Sequence, residues 1–407
     1  MALIDHFFAR RIKRGTLAVT YADGTTKTFG EPVPGFPDVA MRMGRGVPGQ
    51  LVRDPGLGAA EAFMDGRLTI QRGDIRDLVN LFSANAPWES GRKALKASPT
   101  RRAVERVTHR IDRFNMARRS KRNVAHHYDL SDRLYDLFLD RDRQYSCAYF
   151  TDPANGLEQA QADKKAHIAA KLLLEPGMTV LDIGCGWGGM ALYLHQKTGA
   201  EVLGITLSKE QLKVARQRAA EAGVAHKVRF ELIDYRHVTG TFDRIVSVGM
   251  FEHVGPAHYT AFFRQCRQLL AEDGVMLLHT IGRMGRPGVT DKFTAKYIFP
   301  GGYNPALSEI VRGYEGVRLF PTDVEVLRLH YALTLDQWYD RTVRAKAAIV
   351  DLYDERFYRM WTFYLAGAAQ AFRYGGLVNY QLQFARSRTA VPLTRDYIGA
   401  AEAALRG

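Results

Sequence analysis

Val180-Leu-Asp-Ile-Gly-Cys-Gly-Trp-Gly-Gly189 decides the fold. Two β-formers lead into an acid, a glycine cluster follows, and Met190-Ala-Leu-Tyr-Leu-His195 continues as a helix. A strand, a tight turn and a helix N-terminus make a nucleotide site, because glycine lets the backbone approach a ligand and the orphan N–H groups point at it. The spacing of Gly184, Gly186 and Gly189 also fits the dinucleotide pattern, which alone is a weak signal. Two details tilt the reading. Asp182 stands inside the strand end, where a carboxylate suits a cationic or amine-bearing ligand better than a pyrophosphate. The next strand, Glu201-Val-Leu-Gly-Ile-Thr-Leu207, ends without the acid that holds an NAD ribose.

The order Asp182, Gly184, Gly186, Gly188 resembles motif I of the S-adenosylmethionine-dependent methyltransferases; the competing reading is a glycine-rich turn with no ligand. Working outward, strands are expected near 179–183, 201–206, 228–233, 242–248 and 275–281, with helices after the first, second and fourth. Such alternation implies a parallel sheet covered on both faces. A helix at about 157–174 precedes it, and Pro176-Gly177 breaks the chain between them. Beyond it, Asp291–Val317 reads as irregular, Leu335–Tyr374 as largely helical and rich in aromatics, and Leu377–Ala385 as a closing strand.

The chain has 407 residues, a net charge of +14 and a pI near 9.6, which favours an anionic partner, nucleic acid or membrane. Three cysteines (147, 185 and 266) without a C-x-x-C pair argue against a disulfide framework or a zinc site and fit a reducing, cytosolic setting. The N-terminal apolar run is too short for a signal peptide, and no stretch approaches the roughly 20 apolar residues of a spanning helix. Membrane contact is therefore expected to be peripheral, at the inner face. Residues 1–91 read as a small α+β domain with an amphipathic helix at 2–14 and a hairpin turned at Asp23-Gly24. Residues 92–122 set twelve Lys and Arg against Glu105 and Asp112 alone. That run is either a solvated linker or a dock for phosphate head groups. Residues 123–407 form the expected catalytic domain.

Six segments occur in order: Tyr145-Ser-Cys-Ala-Tyr-Phe150, Leu181-Asp-Ile-Gly-Cys-Gly-Trp-Gly-Gly189, Gly204-Ile-Thr-Leu-Ser-Lys-Glu-Gln211, Met250-Phe-Glu-His-Val-Gly255, Leu278-His-Thr-Ile-Gly282 and His330-Tyr-Ala-Leu-Thr-Leu335. Together they resemble the cyclopropane-fatty-acyl-phospholipid synthase family. The resemblance covers nearly the whole chain and implies a class I methyltransferase fold: a mostly parallel seven-stranded sheet with helices on both faces, plus the small N-terminal α+β domain. It also implies S-adenosylmethionine as cofactor, held by Tyr145 and Ser146 at the methionine end. Asp182, Gly184, Gly186, Trp187 and Gly188 would line its path, with Thr206 and Gln211 at the ribose and Asp234 and Tyr235 at the adenine. Each has a plainer reading. Ser208-Lys-Glu-Gln211 matches a capping box, Asp234 suits a loop cap, and Tyr145 suits a core.

The resemblance further implies a bicarbonate held by Cys147 and Ile281 through backbone and by Glu252, His279 and Tyr331 through side chains. Taken singly, His279 reads as a satisfied strand residue and Tyr331 as packing. Glu325 lies near a further acid of the family, across a spacing that varies. Ala368 stands where many members carry Cys, which excludes a thiol role there, and Cys266 falls on the apolar face of a helix. The implied reaction is cyclopropanation of cis-unsaturated acyl chains in membrane phospholipid by a homodimer. Methyl or methylene branching of the same chains is the alternative. An RNA methyltransferase suits the charge, but Val248-Gly-Met-Phe-Glu-His-Val254 is not the Asn-Pro-Pro-Tyr type used on base amines, and no RNA-binding module is present. No nucleic-acid partner and no metal are therefore expected.

Overall fold

The computed structural model describes residues 3–91 and 131–406; the basic run at 92–122 lies outside the described residues. The chain divides into two compact units.

The larger unit is built on a seven-stranded sheet. Its first five strands are β5 (Thr179–Ile183), β6 (Glu201–Thr206), β7 (Val228–Leu232), β8 (Phe242–Val248) and β9 (Leu270–Arg283). They are joined in parallel, and β10 (Phe320–Leu327) and β11 (Leu377–Ala385) complete the order β10-β11-β9-β8-β5-β6-β7. The final strand β11 runs antiparallel between β9 and β10, pairing Gln381 with His279 and Asn379 with Ile281.

Side chains alternate across each strand, so both faces acquire an apolar layer. Leu181, Ile183, Met276 and Leu278 pack with Phe262, Phe263 and Cys266 of α9 (Tyr259–Leu269) on one face. Val180, Val202, Val246 and Leu277 pack on the other with Met190 and Leu194 of α7 (Gly189–Thr198) and Ala215 of α8 (Lys209–Glu221). This is the doubly covered, mostly parallel sheet of a class I methyltransferase. Two further helices of this unit, α5 (Asp132–Phe138) and α6 (Leu157–Leu172), precede β5, and α14 (Asp396–Arg406) packs on α6 at the end of the chain. A helix α10 (Leu307–Tyr314) lies inside the segment expected to be irregular. Glu309 Oε2 accepts from Ala306 N at 3.0 Å, a local cap that outweighs the surrounding Gly and Pro.

The smaller unit holds α1 (Leu3–Arg11) and a four-stranded sheet, β2-β1-β3-β4, of β1 (Gly15–Thr20), β2 (Thr26–Glu31), β3 (Asp38–Met43) and β4 (Leu68–Arg72). Its hairpin turns through Asp23 and Gly24 as expected, with Asp23 Oδ1 accepting from Thr25 N at 3.0 Å and Gly24 at φ 86°. Helices α2 (Val47–Arg53), α3 (Pro55–Met64) and α4 (Ile75–Ala84) follow, and Asp74 and Asp77 cap α4 reciprocally.

Thr290–Pro300 and Ala332–Gly376 also belong to this unit, which departs from the expected boundary at residue 123. They carry most of α11 (His330–Arg344) and all of α12 (Lys346–Leu352) and α13 (Glu355–Arg373). The partners of these helices explain the grouping. Phe363 packs against Phe63 of α3, Asp340 pairs with Arg76 of α4 at 2.7 Å, and Tyr339 donates to Asp74 at 3.1 Å. Phe293 meets Phe363, so several of the aromatics from 293–374 are core packing.

Candidate active site

A cavity opens at the C-terminal ends of β5, β6 and β8, where open α/β sheets place their sites. The turn after β5 bends through Gly184, Gly186 and Gly188, all at positive φ (85°, 56° and 82°). Gly184 and Cys185 donate their N–H groups to Ile205 O at 2.9 and 3.0 Å, which pins the turn to β6. Of the residues expected to hold the cofactor, Asp182, Gly184, Gly186 and Trp187 line the cavity from this turn. Tyr145 and Ser146 line it from the segment before α6, and Thr206, Gln211, Asp234 and Tyr235 from the far side. Gly188 does not. A Cβ there would stand 2.6 Å from Phe230 Cζ and 3.1 Å from Ala215 Cβ, so close packing requires this glycine.

The local bonds bear on two of the plainer readings. Ser208 Oγ caps α8 by accepting from Gln211 N at 3.3 Å, while the Gln211 side chain turns to Thr206, whose Oγ1 donates to Gln211 Oε1 at 3.1 Å. Half of a capping box is formed, and the other half faces the cavity. Asp234 accepts from Arg236 three times, at 2.6 to 3.1 Å, and starts a short 3-10 turn. Burial opposes its ionisation, yet these bonds hold the carboxyl below the usual carboxylate range. Tyr235 packs edge-on to Phe262, and Trp187 sets its ring against Tyr135 and donates to Asp132 at 3.2 Å.

Asp182 is the buried acid of the cavity lining. It is 2% exposed, its Oδ2 has no hydrogen-bond partner among the described residues, and burial pushes its carboxyl up to about 7 against the opposing charge of Lys164. An unsatisfied buried acid costs about 1–3 kcal/mol and invites a donor-bearing or cationic group. The cavity thus fits S-adenosylmethionine, which brings an amine, a sulfonium and ribose hydroxyls.

The second constellation adjoins the first along the chain, Cys147 following Ser146 and Glu252 following Met250 by two. Glu252 lies in a 3-10 turn after β8, and its Oε1 accepts from Ile281 N of β9 at 2.6 Å. Its Oε2 is buried with no hydrogen-bond partner among the described residues, and burial lifts the carboxyl to about 7. His279 shares its face of β9 with Ile281 and points at β11, with Asn379 2.9 Å from Nε2 and Gln381 3.1 Å from Nδ1. Burial, then the charges of Lys164 and Lys171, push its pKa well below the ordinary value, so the ring is neutral. Cys147 is buried and donates through Sγ to Ala148 O. Its segment is tied to the start of α11 because Phe150 N donates to His330 Nδ1 at 2.9 Å, beside the buried Tyr331. Cys266 is core, as expected.

The polar stripe of α6 carries no local sign of its role. Gln161, Lys164, His167 and Lys171 are all buried, at helical spacing on one face. From sequence such a stripe reads as the solvated side of an amphipathic helix. Instead Lys164 donates to Gln144 Oε1 at 2.7 Å and Ser146 Oγ at 2.9 Å, and Gln161 Nε2 reaches Gln144 O and Ser146 O. The segment lining the cavity is therefore held from beneath, and burial lowers Lys164 to about 8. Glu325 joins the stripe through His167 and Lys171, which hold its carboxyl down at about 2 despite burial.

The family model of mycolic acid cyclopropane synthetase matches residues 115–382. The chain belongs to that family. It is 38% identical over 359 residues to a probable fatty acid methyltransferase of Pseudomonas putida, covering 86% of this chain and 88% of the relative. It is 44% identical over 260 residues to the cyclopropane-fatty-acyl-phospholipid synthase of Escherichia coli strain K12, covering 64% and 66%. A crystal structure of a mycolic acid cyclopropane synthase complexed with SAH and CTAB superposes with a TM-score of 0.62 at 37% identity, over 65% of this chain and 98% of that one. The chain is thus an S-adenosylmethionine-dependent enzyme of the cyclopropane synthase kind. Both the first 91 residues and α14 lie outside the family match.

Proposed function

We propose that this enzyme adds a methylene unit from S-adenosylmethionine across the cis double bond of unsaturated acyl chains in membrane phospholipid, forming a cyclopropane. The observation that carries the reading is the Glu252–Ile281 pair: a buried carboxyl with one oxygen committed to backbone and the other without a partner among the described residues, next to the cofactor cavity.

When bound, S-adenosylmethionine supplies an electrophilic methyl group and leaves a carbocation on the acyl chain. An isolated alkene is a weak nucleophile with no proton to remove beforehand, so the enzyme's task is alignment and exclusion of water. Asp182 and the glycine turn would hold the cofactor's amine end, Tyr145, Ser146 and Trp187 its methionine path, Thr206 and Gln211 the ribose, and Asp234 and Tyr235 the adenine. Ring closure needs a base that is not itself alkylated, and a bound bicarbonate would accept that proton. Glu252 and Tyr331 would hold it through their side chains beside neutral His279, and Cys147 through its backbone, while the Ile281 N–H, already given to Glu252, would fix that carboxyl in place. The donors suit an anion. Glu252 keeps its proton up to about pH 7 and can donate to it, and the Tyr331 hydroxyl is a second donor.

The basic run at 92–122 would bring the enzyme to the anionic face of the membrane, with two copies of the chain acting together. Among the described residues no helix is long and apolar enough to cross a membrane, so contact would be peripheral. Methyl-labelled S-adenosylmethionine with vesicles of cis-monounsaturated phospholipid tests the reading. Label in lipid together with high-field ring protons in the NMR spectrum supports it. Label without those protons gives the alternative, branching methylation, which the similarity to a fatty acid methyltransferase over most of the chain keeps in play. Label only in an RNA control, or nowhere, overturns both.

A further inference from the structure

Both ring nitrogens of His279 meet a side-chain amide of β11, Asn379 at Nε2 and Gln381 at Nδ1. A neutral imidazole has one N–H and one lone pair, so the two amides must face it differently: one presents its NH2, the other its oxygen. Which is which fixes the tautomer, and the answer lies on α6. Lys171 Nζ donates to Gln381 Oε1 at 3.0 Å. This lysine is fully buried and also meets two carboxylates, Glu325 and, at 3.4 Å, Asp323. An ammonium between two carboxylates donates only, so Gln381 must keep its oxygen toward Lys171 and its NH2 toward His279 Nδ1. The charge-assisted bond outranks any preference of Asn379, whose own bond, to Tyr380 O, is 3.5 Å long.

We propose that Lys171 and Gln381 are positioning residues that hold His279 in the Nε2–H tautomer, with Nδ1 as the acceptor of the Gln381 amide. The single proton of the ring is thereby placed on Nε2, which requires the Asn379 amide, whose Nδ2 stands 2.9 Å from Nε2, to present its oxygen there instead. The device is anchored beyond the family match. His167 Nε2 reaches Glu325 at 2.6 Å, and its Nδ1 meets Glu402 of the C-terminal helix α14. Tyr149 stacks on the same ring at 4.1 Å. Glu402 thus orients His167, His167 orients Glu325, and Glu325 holds the lysine that reads the glutamine. The importance of the tautomer for turnover rests on the reading of His279 as a group at the reacting site.

The test uses the full-length enzyme with ring-15N histidine, assigning His279 from a His279→Gln spectrum. Long-range 1H–15N correlations in the wild type are expected to show Nε2 protonated and Nδ1 bare; a proton on Nδ1 overturns the proposal. Gln381→Glu puts an acceptor at Nδ1 while keeping a partner for Lys171, and is expected to move or add the proton at Nδ1. Lys171→Arg, still a pure donor, is expected to leave the tautomer unchanged. In the vesicle assay, Gln381→Glu is expected to lower kcat about tenfold or more, as loss of a group that orients a working imidazole does, with the KM for S-adenosylmethionine within about twofold. A moved proton with unchanged kcat overturns the positioning role. Wild-type enzyme that labels no lipid while the spectra come out as expected instead sinks the proposed reaction and leaves the tautomer assignment standing.

Discussion

Ile281 donates its backbone N–H to Glu252 Oε1 at 2.6 Å, so the carboxyl after β8 is clamped to the backbone of β9 while Oε2 stays buried and, among the described residues, without a partner. The clamp needs only an acceptor at Oε1, which an amide oxygen also provides. Glu252→Gln should therefore keep the fold and bind S-adenosylmethionine within about twofold of wild type, while turnover falls about 100-fold or more, the scale of a lost acid–base group. Calorimetric titration and single-turnover label transfer read the two separately. Wild-type turnover in this variant removes Glu252 from the chemistry.

Burial places the Glu252 carboxyl at about 7. As the protonated form donates to a bound anion and the ionised form repels it, kcat/KM should fall as pH rises through about 7. The falling limb should flatten in the residual activity of Glu252→Gln. A limb of the same position in that variant assigns it to another group.

Asp182 couples stability to binding. Its folded pKa, about 7, lies above the ordinary 3.8, so its contribution to stability is complete below pH 3.8 and is lost as pH rises through 7. Without cofactor, Asp182→Asn should raise the melting temperature at pH 8 more than at pH 5. The same change should weaken S-adenosylmethionine binding about tenfold or more, since the amine end loses its charge partner. An equal shift at both pH values would mean that the acid is not buried unpaired.

Gly188→Ala should destabilise the enzyme by about 1–3 kcal/mol, combining a positive-φ penalty with a clash against Phe230. Denaturant unfolding measures it. A variant of unchanged stability but weak cofactor affinity would return Gly188 to the binding site.

Neutralising Arg101, Arg102, Arg118 and Arg119 should reduce co-sedimentation with anionic vesicles about tenfold or more at low salt, each charge being worth about 1 kcal/mol near such a surface. Neutral vesicles should show little change. Unchanged sedimentation reduces the run to a linker.

The nucleotide turn was legible because its signals are local: Asp182 and three glycines within seven residues dictate a bend that only glycine tolerates. The parallel strands were legible for the same reason, as apolar runs between helices. The stripe from Gln161 to Lys171 was not, because helical spacing of polar residues looks alike whether it faces water or a half-buried carboxylate on a distant strand. Glu325 and Gln381 complete that stripe from over 150 residues away, and no local pattern announces such a partner. The division into units escaped for a related reason. Phe363 and Asp340 follow the catalytic motifs in sequence, but their partners Phe63 and Arg76 precede them.

The place of β11 carries a consequence for how the chain is made. Of the strands of this sheet, β11 is synthesised last and fills the slot between β9 and β10, so until residue 385 has left the ribosome both strands present bare edges to the cell. The segment emerging in the meantime, Ala332–Gly376, belongs to the other unit, so the wait is long and is spent folding something else. Unpaired edges of this kind recruit foreign strands. A nascent chain stalled or truncated before Leu377 should therefore aggregate or occupy chaperones, however well its glycine turn has formed.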